Sequence, residues 1–343
     1  MPAEEFMKFF YIITSIFFFY NISVKAESSN EYFDRKPLII YTYDSFVSEW
    51  GPGPLIKNIW ENNYNRELRF VSVDSAATLL TKIILEGSSS KADIVLGLDM
   101  NLLEEAKNSK LFLKHSMLGL ENKLNIPIKW ESKLFVPYNY GYFAFVYNNK
   151  LFENPPNSMN ELINETEARI VIQDPRTSTP GLGLLTWIKA IYGEKSKNAW
   201  EKLNKKIVTV TKGWTDSYYN IFMAGEADMV LSYSTSPAAH IIFEENYDIS
   251  ALNFKEGNYI SVEFAGILNS SKNKPLAKKF LRFMLSEDFQ SLLPSTNIMY
   301  PVIKIKNLPD SFKNIEIPKA IQLNPADINL NKEVWIKEWL STS

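Results

Sequence analysis

The sequence predicts an α/β protein of two lobes joined by two long strands, and three observations predict it. Short apolar runs alternate with amphipathic helical patterns between Pro37 and Leu293, the pattern of mainly parallel sheets covered by helices. Two longer apolar and aromatic runs, Phe135–Tyr147 and Tyr259–Ile267, have the length to pass from one block to the other. The shorter runs end in polar or turn-forming residues, and sheets of this kind place ligands beyond the carboxyl ends of their strands. Two lobes linked in this way suit a hinged clamshell that closes on a small molecule.

The elements follow in order. Pro37–Tyr43 reads as a buried opening strand running into Asp44 and Ser45, and the stiff loop Trp50-Gly51-Pro52-Gly53-Pro54 leads to a helix with Leu55, Ile56, Ile59 and Trp60 on one face. Leu68–Val73 is the second strand, Ala77–Leu85 a helix and Ala92–Leu98 the third strand, so Asp44, Ser75 and Asp99 each lie just past a strand end. After the crossover run, a second block predicts a helix over Met159–Ile163, a strand at Ile170–Ile172, a helix over Leu184–Tyr192, a strand at Ile207–Val210 and a helix over Tyr218–Met223. The strand Met229–Tyr233 then runs into Ser234-Thr235-Ser236-Pro237, and Tyr259–Ile267 returns the chain to the first block, which two helices over Pro275–Leu285 and Glu287–Leu293 complete. The expected domains are lobe 1 at 36–138 plus 262–300, lobe 2 at 139–261, and a segment 301–343 packing across the lobes.

Composition narrows the function. Of 343 residues, 45% are hydrophobic and 22% charged, an ordinary globular balance with enough chain for two cores. A net charge of −2 supplies no basic footprint for nucleic acid. The aromatic share is high at 14%, and surplus rings can wall a pocket for a flat ligand. Lys8, the apolar run Phe9–Tyr20 and Val24-Lys25-Ala26 read as a secretory signal peptide over residues 1–26, cleaved after Ala26. The absence of cysteine excludes a disulfide framework, a thiolate metal site and a lipid-modified N-terminal cysteine. Export without such an anchor points to the periplasm of a two-membrane bacterium.

Catalytic chemistry finds little support. His115 and His240 stand apart, without a metal-ligand spacing around either. Ser88-Ser89-Ser90-Lys91 has a Ser-x-x-Lys spacing but lacks the partner motifs of penicillin-recognising enzymes, and reads as a solvated loop. There is no phosphate-loop lysine motif and no dinucleotide fingerprint, so no enzyme, cofactor or metal centre is expected. The most informative stretch is Gln173–Leu185, a buried run passing through Pro175, Ser178, Thr179, Pro180 and Gly181 into an apolar helical face. A helix start presents unpaired N–H groups and the positive end of its dipole. With the hydroxyls of Ser178 and Thr179, it is suited to a phosphate or hydroxyl group.

Tyr41–Phe46, Trp50–Pro54, Lys91–Asp99, Tyr140–Tyr147, Gln173–Leu185, Val208–Trp214, Val230–Pro237 and Met299–Val302 together resemble the bacterial thiamine-binding periplasmic proteins, in order, from Lys36 to Trp339. The resemblance implies a type II periplasmic-binding-protein fold. It implies capture of thiamine, thiamine monophosphate and thiamine diphosphate for delivery to an ABC permease and its ATPase. Thiamine joins a permanently cationic thiazolium and an aminopyrimidine to a hydroxyethyl arm that can carry phosphate. Aromatic faces attract such a cation, at about 2 kcal/mol each when desolvated. Tyr43, Trp50 and Trp214 are the candidate walls. By the same resemblance Ser178, Thr179, Tyr233, Ser234, Thr235 and Ser236 contact the ligand, and Asp44 is a candidate carboxylate for its cation or amine. The family carries Asp-Gly where this chain has Ser75-Ala76, which leaves that pair backbone contacts only.

Two further departures concern the pocket. The family places Trp before Met-Tyr-Pro-Val and Tyr before the His that follows Ser-Pro, whereas this chain has Ile298 and Ala239. Loss of two such rings costs on the order of 1–4 kcal/mol of binding. Either other aromatics such as Tyr300 compensate, or the site is retuned, for example toward a pyrimidine precursor of thiamine. Alternatives to thiamine capture are another small organic cation, ferric ion held by the adjacent phenols Tyr218 and Tyr219, or a periplasmic enzyme acting on a thiamine-like compound.

Overall fold

Three parallel strands open the described chain, in a computed structural model that describes residues 36–342 apart from Glu153. The expected signal segment lies outside the described residues. β1 (Leu38–Tyr43) pairs in parallel with both β2 (Leu68–Val73) and β3 (Ile94–Asp99). Every residue of β3 is buried, as a strand covered on both faces requires. The helices Gly53–Tyr64 and Ala76–Glu86 return the chain between these strands and bury Ile56 and Trp60, and Leu79, Leu80 and Ile83.

The short β4 (Phe112–Leu113) precedes β5 (Phe135–Asn148), whose residues are buried at every position before the last. A second parallel triplet follows, in which β6 (Ile170–Gln173) pairs with both β7 (Ile207–Thr211) and β8 (Met229–Tyr233). Next come β9 (Ile249–Ala251), β10 (Asn258–Leu268), β11 (Tyr300–Pro301) and β12 (Ala320–Ile321). The path through the sheet runs β2-β1-β3-β10-β5-β8-β6-β7. Parallel pairing holds inside each triplet, as expected, while β10 and β5 join the triplets through antiparallel contacts. β5 changes partner midway: Phe135–Tyr142 pairs with β10 and Phe143–Tyr147 with β8.

Several helices differ from the sequence expectation. The helix expected from Leu184 begins at Thr179, because Pro180 fits the first turn, where no N–H is needed. Ser196–Leu203, Ser236–Glu244 and Pro325–Leu340 are helices that the apolar pattern did not announce. The last has a clear start, since Asn324 accepts from the N–H of Ala326 and Pro325 follows it. It crosses the sheet's two halves: Lys332 pairs with Glu105 at 2.7 Å, while Glu338 accepts from Ser196 at 2.5 Å and Trp339 packs edge-on to Trp200. Among the described residues no helix is long and apolar enough to cross a membrane.

One continuous apolar cluster fills the interior, with a smaller one around Val146, Val230, Tyr218 and Phe222. The helix Thr179–Tyr192 approaches β5 closely at Gly183, where an added Cβ would stand 2.1 Å from the Phe143 ring. Alanine favours a helix interior over glycine by about 1 kcal/mol, but overpacking a filled core costs about 1–3 kcal/mol. Gly183→Ala is therefore expected to lower the denaturant midpoint in an equilibrium melt, and an unchanged or raised midpoint would show that Phe143 can move aside freely.

Candidate functional site

The carboxyl ends of both triplets meet. Thr179, at the start of its helix after β6, donates its hydroxyl to Asp99 at the end of β3 at 3.1 Å. Lys212, just after β7, reaches Asp74, just after β2, at 3.2 Å with both side chains exposed. β6 and β8 are parallel neighbours, so the helices Thr179–Tyr192 and Ser236–Glu244 start side by side. Their N-cap residues, Ser178 and Thr235, make no side-chain bond back to the helix. Pro180 and Pro237 have no N–H and that of Ala238 bonds the Thr235 carbonyl, which leaves the N–H groups of Thr179, Gly181 and Ser236 for an oxyanion. The hydroxyls of Ser234 and Thr235 are buried there without a partner, which is a costly state unless another group satisfies them.

Two carboxylates lie beside these helix starts, and Asp99 touches one of them through Thr179. Asp99 is 1% exposed, and burial pushes its pKa up to about 6 against the lowering pull of the Asn101 N–H and the Thr179 hydroxyl. Glu263 on β10 is only partly buried, yet desolvation also raises it to about 6, with the charge of Asp99 adding to the rise. One oxygen of Glu263, Oε2, accepts from Tyr43 at 3.0 Å, Tyr138 at 2.5 Å and Asn139 at 2.7 Å. Tyr43 also reaches Asn297 at 3.4 Å. Its ring lies over Gly97, where a Cβ would stand 2.3 Å from the ring and φ is +103°, so only glycine admits this placement. Tyr233 feels both carboxylates, and burial first and their charges second hold its hydroxyl well above the usual phenol range.

The remaining expected residues divide. Trp214 donates its indole N–H to Ser232 at 2.8 Å, and Ser232 shares a 2.7 Å bond with Ser236, whose Oγ also accepts from the Tyr233 N–H. Trp214, Tyr233 and Ser236 thus form one connected group. Ser75 caps the helix Ala76–Glu86 by accepting from Thr78, so its side chain is occupied, and Ala76 is buried. Asp44 is exposed and Trp50 is 53% exposed, and neither joins the cluster by a hydrogen bond or ring contact among the described residues. Ile298 has φ of +52°, an uncommon state for a β-branched side chain and one that marks a held conformation. Tyr300 is buried in a stack on Tyr140, with Phe312 edge-on to it.

Sequence reasoning noted Asp99 as a strand-end residue and missed Glu263 and Tyr138. The one available signal was a lone acid within the apolar run Tyr259–Ile267. Tyr218 does not present a free phenol: its hydroxyl bonds the buried His240 at 2.9 Å, and His240 reaches Glu244 at 3.0 Å. It supports Trp214 from behind, with ring centroids 4.8 Å apart. His115 accepts from the Met117 N–H and bonds the Ser132 carbonyl, a structural role. Ser89 and Ser90 bond back to Glu86, which closes the Ser-x-x-Lys segment as a turn.

Comparisons with known proteins show what the chain is similar to. The family described as bacterial extracellular solute-binding proteins matches residues 49–291. The thiamine-binding periplasmic protein of Escherichia coli is 46% identical over 309 residues, covering 90% of this chain and 93% of its own. A solved periplasmic thiamin binding protein superposes with a TM-score of 0.85 at 45% identity, over 90% of this chain and 96% of that one. The ferric binding protein of Campylobacter jejuni shares the fold, with a TM-score of 0.75, at 22% identity over 89% of this chain and 99% of its own.

Asp99 has a consequence for stability. Its folded pKa of about 6 exceeds the ordinary 3.8, so between these values the folded state holds more protons than the unfolded one. Stability contributed by this group therefore falls as pH rises through about 4 to 6, and the full penalty stands at neutrality. Asp99→Asn is expected to stabilise the protein by about 1–3 kcal/mol at pH 7.5 and by little at pH 4, read from paired thermal melts. A gap that does not grow with pH would contradict this account.

Proposed function

The chain belongs to the bacterial extracellular solute-binding proteins, among the thiamine-binding periplasmic proteins, and we propose that it captures thiamine and its mono- and diphosphate in the periplasm for an ABC permease and its ATPase. The observation that carries this reading is the gathering of unmet donors, acids and rings between the strand ends. Two helix starts and the unpartnered hydroxyls of Ser234 and Thr235 supply the donors. Asp99 and Glu263 supply the acids, Asp99 next to the first helix start through Thr179, and the rings of Tyr43, Tyr233 and Trp214 are linked to them or to the neighbouring hydroxyls. Thiamine phosphates carry the complementary groups, a phosphate, a fixed cation and flat rings.

The division into lobe 1 (36–138 plus 262–300) and lobe 2 (139–261) belongs to the same proposal, with β5 and β10 as the crossing strands. Closure exchanges water for aromatic faces and for the helix N–H groups, and the Thr179–Asp99 and Lys212–Asp74 contacts secure the closed form. The signal segment 1–26 delivers the chain to the periplasm. Ser178 and Thr179 contribute to the phosphate end, Trp50 and Asp44 approach from the rim, and Ser75-Ala76 offer backbone only. The site binds its ligand without transforming it, since the hydroxyls of Ser234 and Thr235 have no base paired with them and that of Thr179 is taken up by its bond to Asp99.

The ferric alternative lacks support, because the Tyr218 hydroxyl is committed to His240. Calorimetric titration of the wild type with thiamine, both phosphates and the free aminopyrimidine is expected to give saturable one-to-one binding. Trp214→Ala is expected to weaken thiamine at least about tenfold, as loss of one desolvated cation–π contact implies. Affinity unchanged in that variant would remove Trp214 from the site, and preference for the free pyrimidine over thiamine would replace the ligand assigned.

A further inference from the structure

The cleft's charge selectivity rests on a residue that the resemblance did not supply. Glu263 on β10 is the direct register partner of Asp99 on β3 and of Asn139 on β5. Pairing slips by one residue immediately after it on the β5 side, the mark of a bulge that re-aims a side chain. Like charges directly opposite on neighbouring strands are destabilising, and here both belong to largely desolvated carboxyls. Every hydrogen-bond donor to the pair is neutral: Tyr43, Tyr138 and Asn139 for Glu263, and the Asn101 N–H and Thr179 for Asp99. The nearest cation acting on Asp99, Lys332, is itself bonded to Glu105.

Two acceptors at this point lack donors. The three donors to Glu263 all converge on Oε2, and Oε1 carries no bond within the described chain. The side-chain oxygen of Asn139, whose amide holds Glu263, is fully buried and also unpartnered. Beside them the amide nitrogen of Asn101 is a buried donor without a partner, next to Asp99, so the patch's surplus is one of negative charge and of open acceptors at Glu263 and Asn139, complementary to a ligand that brings positive charge.

We infer that Glu263 is the specificity-determining residue for the ligand's cation: Oε2 orients Tyr43, and Oε1 faces the positive end of the bound molecule. This inference rests on the thiamine reading and adds the group that enforces charge. It predicts discrimination by charge at constant shape.

The test compares thiamine with its neutral thiophene isostere, in which carbon replaces the thiazolium nitrogen, by calorimetry on the whole protein. Wild type is expected to prefer thiamine by about 100-fold or more, because the neutral ring forgoes both the attraction of the aromatic faces for a cation and that of the carboxylate. Glu263→Gln keeps the shape and the acceptor for Tyr43 but removes the charge, and is expected to reduce that preference by about tenfold, leaving the part that the ring faces supply. Tyr43→Phe removes the phenol and keeps the charge, so it is expected to weaken both ligands while leaving their ratio intact, which separates selection from wall positioning. Thermal melts confirm that each variant is folded. Equal affinities in the wild type overturn the inference without any variant, as does a wild-type ratio that survives in Glu263→Gln. Binding of neither ligand by the wild type overturns the thiamine reading itself, and this inference with it.

Discussion

β5 has to find partners for the backbone groups of fourteen consecutive residues, nearly all buried. A buried peptide group left unpaired costs as much as a lost hydrogen bond, so the strand needs a continuous supply of neighbours. It finds them in both halves of the sheet, β10 along its first part and β8 along its second. That requirement aligns the two parallel triplets so that their carboxyl ends face a common space. The helix starts after β6 and β8, the acid at the end of β3 and the ring of Tyr43 gather at this one place because of it. The aromatic content of β5 serves the same end, since Tyr138, Tyr140, Tyr142, Phe143 and Phe145 pack its two faces.

The electrostatics of the cleft invert the usual economy of a protein interior. Buried acids are ordinarily neutralised by basic partners. Here neutral phenols, amides and a hydroxyl take that place, which reduces the desolvation penalty without cancelling the charge. At the helix starts beside them the reverse holds, with the buried hydroxyls of Ser234 and Thr235 lacking partners among the described residues. A protein that only had to fold would gain by satisfying both sets of groups internally. That it leaves them unmet fits the general pattern in which binding sites violate local rules of stability.

The sequence made the framework legible because its strands are short, apolar and bounded by turn residues, and because β5 and β10 are conspicuously long. Tyr43, Thr179, Trp214 and Tyr233 could be proposed from motif and position, and the structure connects each to the cleft network. Glu263 could not, since an acid within an apolar run is indistinguishable from a solvent-facing residue until the register with Asp99 and the slip beside it are known. Tyr138 was hidden in the same way among the many rings of its strand. The helix Ser236–Glu244 carried a Ser-Pro start and Pro325–Leu340 an Asn-Pro start. Both cues were outweighed by weak periodicity, an outcome of tertiary packing deciding what propensity leaves open.

The C-terminal helix is stitched along two seams of different chemistry. Toward β3's half its polar stitch among the described residues is the ion pair from Lys332 to Glu105. Toward the other half Glu338 bonds Ser196, Thr342 accepts from Asn204, Lys189 lies over the Trp335 ring, and Trp339 meets Trp200. A helix tied in this way to both halves clasps them together, so its register couples the placement of Glu105 to that of Trp200.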